Sequence, residues 1–111
     1  MFDGSRDLPR GTLELMILKV LSLEPMHGWG VIRRIQHLSQ GVYQVNQGSL
    51  YPALQRLKKK GWIRSEWRVT ENSRRAKYYT LTDSGKEMLG EERRAWELST
   101  STVGRILEAT S

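Results

Sequence analysis

A chain of 111 residues with 38% apolar and 27% charged side chains is long enough for one domain with a core, and too balanced for disorder. It has no cysteine, which excludes a disulfide framework, a thiol nucleophile and cysteine-ligated zinc, and fits a reducing compartment. The formal charge is +6 and the pI ≈ 10.0, but the excess sits in one segment: Gln55 to Lys77 holds nine Lys/Arg against two acids, +7, leaving −1 for the rest. A positive field gathered in this way is the footprint of a polyanion binder, with a merely soluble basic face as the plainer alternative.

Residues 1–11 read as a loose arm, with Pro9 setting up a turn before Gly11 and no apolar run of the signal-peptide kind. Thr12 can cap a first helix, TLELMILKVLSLE, in which Leu13, Met16, Ile17, Val20 and Leu21 form one stripe. Leu15 and Leu18 form a second stripe. A short helix with two apolar faces must bury both, either wholly inside one chain or one face inside and one against another chain. Glu14, Lys19 and Ser22 interrupt the run, so it is too short and too polar to span a bilayer. Glu24 to Gly28 reads as a turn and His27 to Ser39 as a second helix, with Trp29, Ile32, Ile35 and Leu38 inward and Arg33, Arg34, Gln36 and His37 outward. The two histidines lie ten residues apart without ligand-type neighbours, so no metal site is expected; His27 reads as a cap and His37 as surface.

The chain's centre of organisation is Asn46 to Gly61, NQGSLYPALQRLKKKG. Asn46 can accept a hydrogen bond from the first turn, and Leu50, Ala53, Leu54 and Leu57 form one apolar stripe. The other side carries Gly48, Tyr51, Pro52, Gln55 and Lys59, with Arg56 and Lys58 flanking it. Gly61 can close the helix where φ > 0 is needed. Gly48 costs about 1 kcal/mol against alanine inside a helix, and Pro52 cannot donate to the Gly48 carbonyl. Stability alone explains that pair poorly, whereas close approach of another molecule to the first turn would explain it; mere tolerance of a proline near a helix start is the alternative.

After Gly61 the period changes to two. Ile63, Trp67 and Val69 alternate with Arg64, Glu66 and Arg68, and Lys77, Tyr79 and Leu81 alternate with Ala76, Tyr78 and Thr80. These are two half-buried strands around the polar tip TENSRR, a wing with Arg74 and Arg75 at its end. Thr82 then caps a long helix, with Asp83 at its positive end, in which Leu89, Trp96 and Val103 fall seven apart beside Met88, Ala95, Ile106 and Leu107. Gly90, Gly104 and the STST run weaken that seam, so it needs a partner surface.

These elements in this order resemble the PadR family of bacterial winged-helix regulators. The residues carrying the resemblance are Thr12-Leu13, Ile17-Leu18, Met26-His27-Gly28-Trp29-Gly30, Gly48-Ser49-Leu50-Tyr51-Pro52-Ala53-Leu54 with Arg56-Leu57, Gly61-Trp62-Ile63, Arg75-Ala76-Lys77-Tyr78-Tyr79, Leu81-Thr82 and Gly85. It runs from about Leu8 to Leu107, and the short tail resembles the compact subfamily with a single C-terminal helix. The fold expected is α+β, mainly α: a winged helix-turn-helix over 1–81 with its arm at 1–11, a two-stranded wing, and a C-terminal dimerisation helix over 82–111. The resemblance implies a cytoplasmic homodimer that binds double-stranded DNA and represses promoters until an effector or signal releases it, with no cofactor and no membrane. Small aromatic or hydrophobic effectors of the family stack on interface tryptophans; Trp96 is a counterpart here, with ordinary packing as the equal alternative.

On this reading Gln47, Ser49, Tyr51 and Gln55 reach base edges or nearby phosphates, while Arg56, Lys58 and Lys59 and the wing residues Arg68, Arg74, Arg75 and Lys77 mainly meet phosphate. The dimer interface is expected at Leu15, Leu18, Leu89, Trp96, Val103 and Ile106. A winged-helix module for RNA or for another protein is the alternative function. An enzyme is disfavoured, since no nucleophile–base pair, phosphate loop or framed acidic cluster is present.

Overall fold

A computed structural model describes residues 11–111; the expected arm lies outside the described residues except for Gly11. The elements are α1 (Thr12–Leu23), β1 (Met26–His27), α2 (Gly28–Leu38), α3 (Gln47–Lys59), β2 (Ile63–Val69), β3 (Arg75–Leu81) and α4 (Asp83–Leu107). The three helices α1 to α3 enclose one core with the sheet, whose strand order is β1-β3-β2, antiparallel throughout. Ile17, Leu18, Val20 and Leu21 meet Val31, Ile32 and Ile35, the α3 stripe Leu50, Ala53, Leu54 and Leu57, and Met26, Ile63, Tyr79 and Leu81 from the sheet. No charged or polar residue is buried among the described residues.

Several expectations need correction. Thr12 is not a cap: left-handed Gly11 (φ 86°) takes that position and Thr12 is the first helical residue. Leu18 does not lie on a spare face, because at 1% exposure it belongs to this chain's own core, α1 being packed by α2, α3, α4 and the sheet. Trp29 and Leu38 do not point inward; Gly28, Val31, Ile32 and Ile35 form the buried side of α2 instead. Met26 and His27, read as part of a turn, form a third strand against Tyr79 and Tyr78. Trp67 and Val69 are on the expected face of β2, but the strand outruns the core and leaves both exposed.

Three local devices set the frame of the molecule. His27 caps α2, its Nδ1 accepting from Gly30 N at 3.0 Å, and its ring stands edge-on to Tyr78 with centroids 5.4 Å apart. Gly61 (φ 78°) ends α3 in a double hydrogen bond: Gly61 N donates to Lys58 O (3.0 Å) and Trp62 N to Leu57 O (3.1 Å), the Schellman pattern that only a residue free of Cβ strain adopts cheaply. Thr82 caps α4 by accepting from Gly85 N (3.1 Å) while its hydroxyl donates to Gly61 O (2.7 Å), and Ser84 Oγ donates to the same oxygen (3.1 Å). The Thr82-Asp83-Ser84 run therefore ties α4 to the turn that ends α3.

From there α4 runs 25 residues, about 37 Å at 1.5 Å per residue. It leaves the body early: beyond Gly90 every residue except Thr102 and Gly104 is exposed. The molecule is accordingly long, 61 × 32 × 21 Å.

Candidate nucleic-acid interface

The order of events along α3 explains what it presents. Asn46, extended at φ −93° and ψ 163°, accepts from Ser49 N through Oδ1 at 2.8 Å, so the first turn is fixed without help from other elements. With the stripe Leu50, Ala53, Leu54 and Leu57 buried, a spacing of about 100° per residue puts Gly48, Pro52, Gln55 and Lys59 on the opposite, outward line. Gly48 is open to solvent; a side chain there would meet only Asn46 Oδ1, at 3.3 Å. The first turn therefore has room for a neighbouring backbone to come close.

The two flanks of α3 are engaged differently from its centre. On one flank Tyr51 lies against α2, where a Cβ at Gly28 would sit 2.7 Å from its hydroxyl. Tyr51 also neighbours Tyr79, whose phenol is held above its ordinary pKa of 10.0, first by burial and then by Tyr51 itself. Tyr51 thus packs α3 onto α2 and keeps only part of its ring outward. On the other flank Arg56 Nε meets Glu14 Oε1 of α1 at 2.6 Å, and Lys60 Nζ approaches Glu14 Oε2 at 3.7 Å. Arg56, expected to be a phosphate ligand, is a brace between α1 and α3. Gln47, Ser49, Gln55, Lys58 and Lys59 are all exposed, with no ion pair among the described residues.

The wing is a hairpin with two unlike faces. Cross-strand partners Glu66↔Tyr78 and Arg68↔Ala76 share one face; Trp67↔Lys77 and Val69↔Arg75 share the other. On the first, Arg68 donates to Glu66 Oε1 at 2.8 Å and lies over the Tyr78 ring at 5.2 Å, so its charge is compensated. Arg68's hydrogen bond, followed by its charge, lowers the Glu66 pKa. On the second face Arg75 and Lys77 have no carboxylate beside them among the described residues, and both lie over Trp67. Arg74 follows the tip, which is closed by Ser73 N donating to Thr70 O (3.0 Å) and by Ser73 in the left-handed region (φ 59°).

The structure therefore brings an outward helix face of amides, a hydroxyl and cations into one molecule with a cationic hairpin face. It sets Arg56 and Arg68 apart as paired charges. Charge counting could not see Glu14, 42 residues away from Arg56.

Residues 17–91 match the sequence model of the Transcriptional regulator PadR-like family. The chain belongs to that family. A transcriptional regulator of Mycobacterium tuberculosis is 37% identical over 92 residues, 83% of this chain and 82% of that protein. Among solved structures, a PadR-like transcriptional regulator from Bacillus cereus superposes with a TM-score of 0.78 at 31% identity, covering 91% of this chain and 96% of that one. A transcriptional regulator from Clostridium thermocellum gives 0.81 at 26% identity, covering 89% and 96%. This PadR-like chain is thus a transcriptional regulator with a mainly helical winged-helix fold and a long C-terminal helix, not an enzyme. No helix among the described residues is long and apolar enough to cross a membrane.

Proposed function

We propose that this PadR-like protein is a homodimeric repressor that reads a pseudo-palindromic operator, with one α3 of each protomer in successive major grooves about one helical turn (roughly 34 Å) apart. The observation carrying this reading is the outward face of α3, which offers Gln47, Ser49, Gln55, Lys58 and Lys59 and no acid. Gln55 and Gln47 are suited to adenine edges, Ser49 to either purine or pyrimidine. Lys58, Lys59, Arg74, Arg75 and Lys77 would meet phosphate, fixing register without reading sequence. Tyr51, half turned to α2, would contribute at the rim. Arg56 and Arg68, already paired, contribute less than their charge suggests.

The second protomer would pack on α4. Trp96, Val103 and Ile106 leave it with about half or more of their surface exposed, an unusual concentration for a monomer in water, and Leu15 adds a half-buried position on α1. Leu89 is already packed against the core and gives the interface little. Release by a small aromatic or hydrophobic molecule belongs to the same proposal, with Trp96 as its contact, and so does a cytoplasmic setting.

The test is the salt dependence of binding. Five phosphate contacts per protomer correspond to a log–log slope of about −4.5 for each half-site. Arg74→Ala should weaken binding to every duplex alike and flatten the slope by about 0.9 per protomer. Selecting bound fragments from genomic DNA should yield one footprinted, two-fold site. Loss of sequence preference in Arg74→Ala with the slope intact would contradict the assignment, as would RNA outcompeting the selected duplex.

A further inference from the structure

The distal half of the wing holds a largely exposed indole, Trp67. Along one face of β2, exposure climbs from 2% at Ile63 to 58% at Trp67 and 71% at Val69, so burial does not explain a tryptophan at that position. What the ring does hold is cations. Lys77, directly opposite on β3, places Nζ 5.6 Å from the Trp67 centroid, and Arg75, one diagonal step outward, places Cζ at 5.1 Å. On the reverse face Arg64 and Arg68 share the Glu66 carboxylate, whereas on the Trp67 face Arg75 and Lys77 have no carboxylate beside them among the described residues.

We infer that Trp67 is a positioning residue for DNA binding: its indole holds the Arg75 and Lys77 side chains along one face of the wing, ordered before the duplex arrives. This rests on the DNA-binding reading above and adds to it a residue that neither touches base edges nor carries charge. A long cationic side chain loses rotamer freedom when it is fixed on a phosphate, and that loss weakens association. Stacking over an aromatic face removes much of that freedom beforehand while leaving the edge N–H groups of the guanidinium available. Arg75 and Lys77 thus present two oriented donors on one side of a narrow hairpin, the shape required to lie along a phosphate backbone.

The experiment uses the full chain and a duplex of roughly three helical turns, titrated over a range of salt. Trp67→Thr removes the ring but keeps a β-branched residue that suits the strand, and Trp67→Phe keeps an aromatic face. Trp67→Thr should lower affinity for specific and unrelated duplexes by the same factor, roughly five- to 150-fold per protomer, the range expected for two side chains that must be ordered anew. The salt slope should stay at the wild-type value, because both charges still reach phosphate. Trp67→Phe should recover most of the loss. The double variant Arg75→Ala, Lys77→Ala should flatten the slope by about 1.8 per protomer. In the free protein, the side-chain proton resonances of Arg75 and Lys77 should carry ring-current shifts that vanish in Trp67→Thr.

Three results would overturn the inference: wild-type affinity in Trp67→Thr, a slope as flat as that of the double variant, or no ring-current shift to lose. The underlying DNA-binding reading fails differently, by the wild-type chain binding no duplex in a salt-dependent way while the ring-current shifts are present.

Discussion

Gly85 is the position at which a single methyl group should have the largest effect, because α4 meets the body there backbone to backbone. A Cβ at residue 85 would collide with the carbonyl oxygen of Trp62 and come within 2.7 Å of Leu81 Cδ1. The carbonyl cannot swing aside, since it accepts from Thr82 N at 3.0 Å. In Gly85→Ala the helix must therefore back away, and three hydrogen bonds go with it: Thr82 N to Trp62 O, Thr82 Oγ1 to Gly61 O and Ser84 Oγ to Gly61 O. At about 1 kcal/mol net apiece the loss is about 3 kcal/mol. Alanine returns about 1 kcal/mol of helix propensity. The expected net destabilisation is about 2 kcal/mol, a fall in Tm on the order of 10 °C. Gly90→Ala is the control, because there a Cβ meets only the flexible guanidinium of Arg94, at 3.4 Å, and a gain of up to about 1 kcal/mol is expected. Thermal and urea unfolding at one fixed protein concentration would measure both, which matters if protomers associate. The two variants should move in opposite directions. A Gly85→Ala protein as stable as Gly90→Ala would refute the claim that α4 is seated on the Trp62 carbonyl.

Four other perturbations follow from named contacts. Asn46→Ala should cost about 1 kcal/mol by leaving Ser49 N without its acceptor, visible as a lower urea midpoint with an unchanged m-value. Glu14→Gln should cost about 1 kcal/mol or less, given how exposed Arg56 is; by releasing Arg56 it should also steepen the DNA salt slope by about 0.9 per protomer, and an unchanged slope would show that Arg56 cannot reach the duplex from its flank. Because burial raises the Tyr79 pKa in the folded chain by penalising the phenolate, the wild type should hold its full stability below the ordinary value of 10.0 and lose stability as pH climbs through the higher folded value, falling away from Tyr79→Phe, which does not titrate there. Ile106→Glu on the exposed stripe of α4 should turn a dimer into a folded monomer by light scattering, with Tm at low protein concentration unchanged.

What could be read from the sequence was mostly local. The Asn46 and Thr82 caps, the stripe from Leu50 to Leu57 and the Gly61 stop depend on residues within a few positions of each other, and each is found in the structure. β1 is only two residues long, too short for any period, and exists because Tyr78 and Tyr79 arrive some 50 positions later to pair with it. Leu18 was ambiguous because a stripe says that a face is covered, not by which chain. Trp67 shows the same limit from the other direction: alternation assigns a residue to a face but is blind to where the core beneath that face ends. Ile63 and Trp67 obey one pattern, and only the first is buried in the core. An indole left largely in water after the core has stopped gains little from folding. On that face the structure places two cations, Arg75 and Lys77, over the Trp67 ring. The misread strand end and the proposed DNA-binding position therefore coincide: both lie where the hairpin has left the body of the molecule.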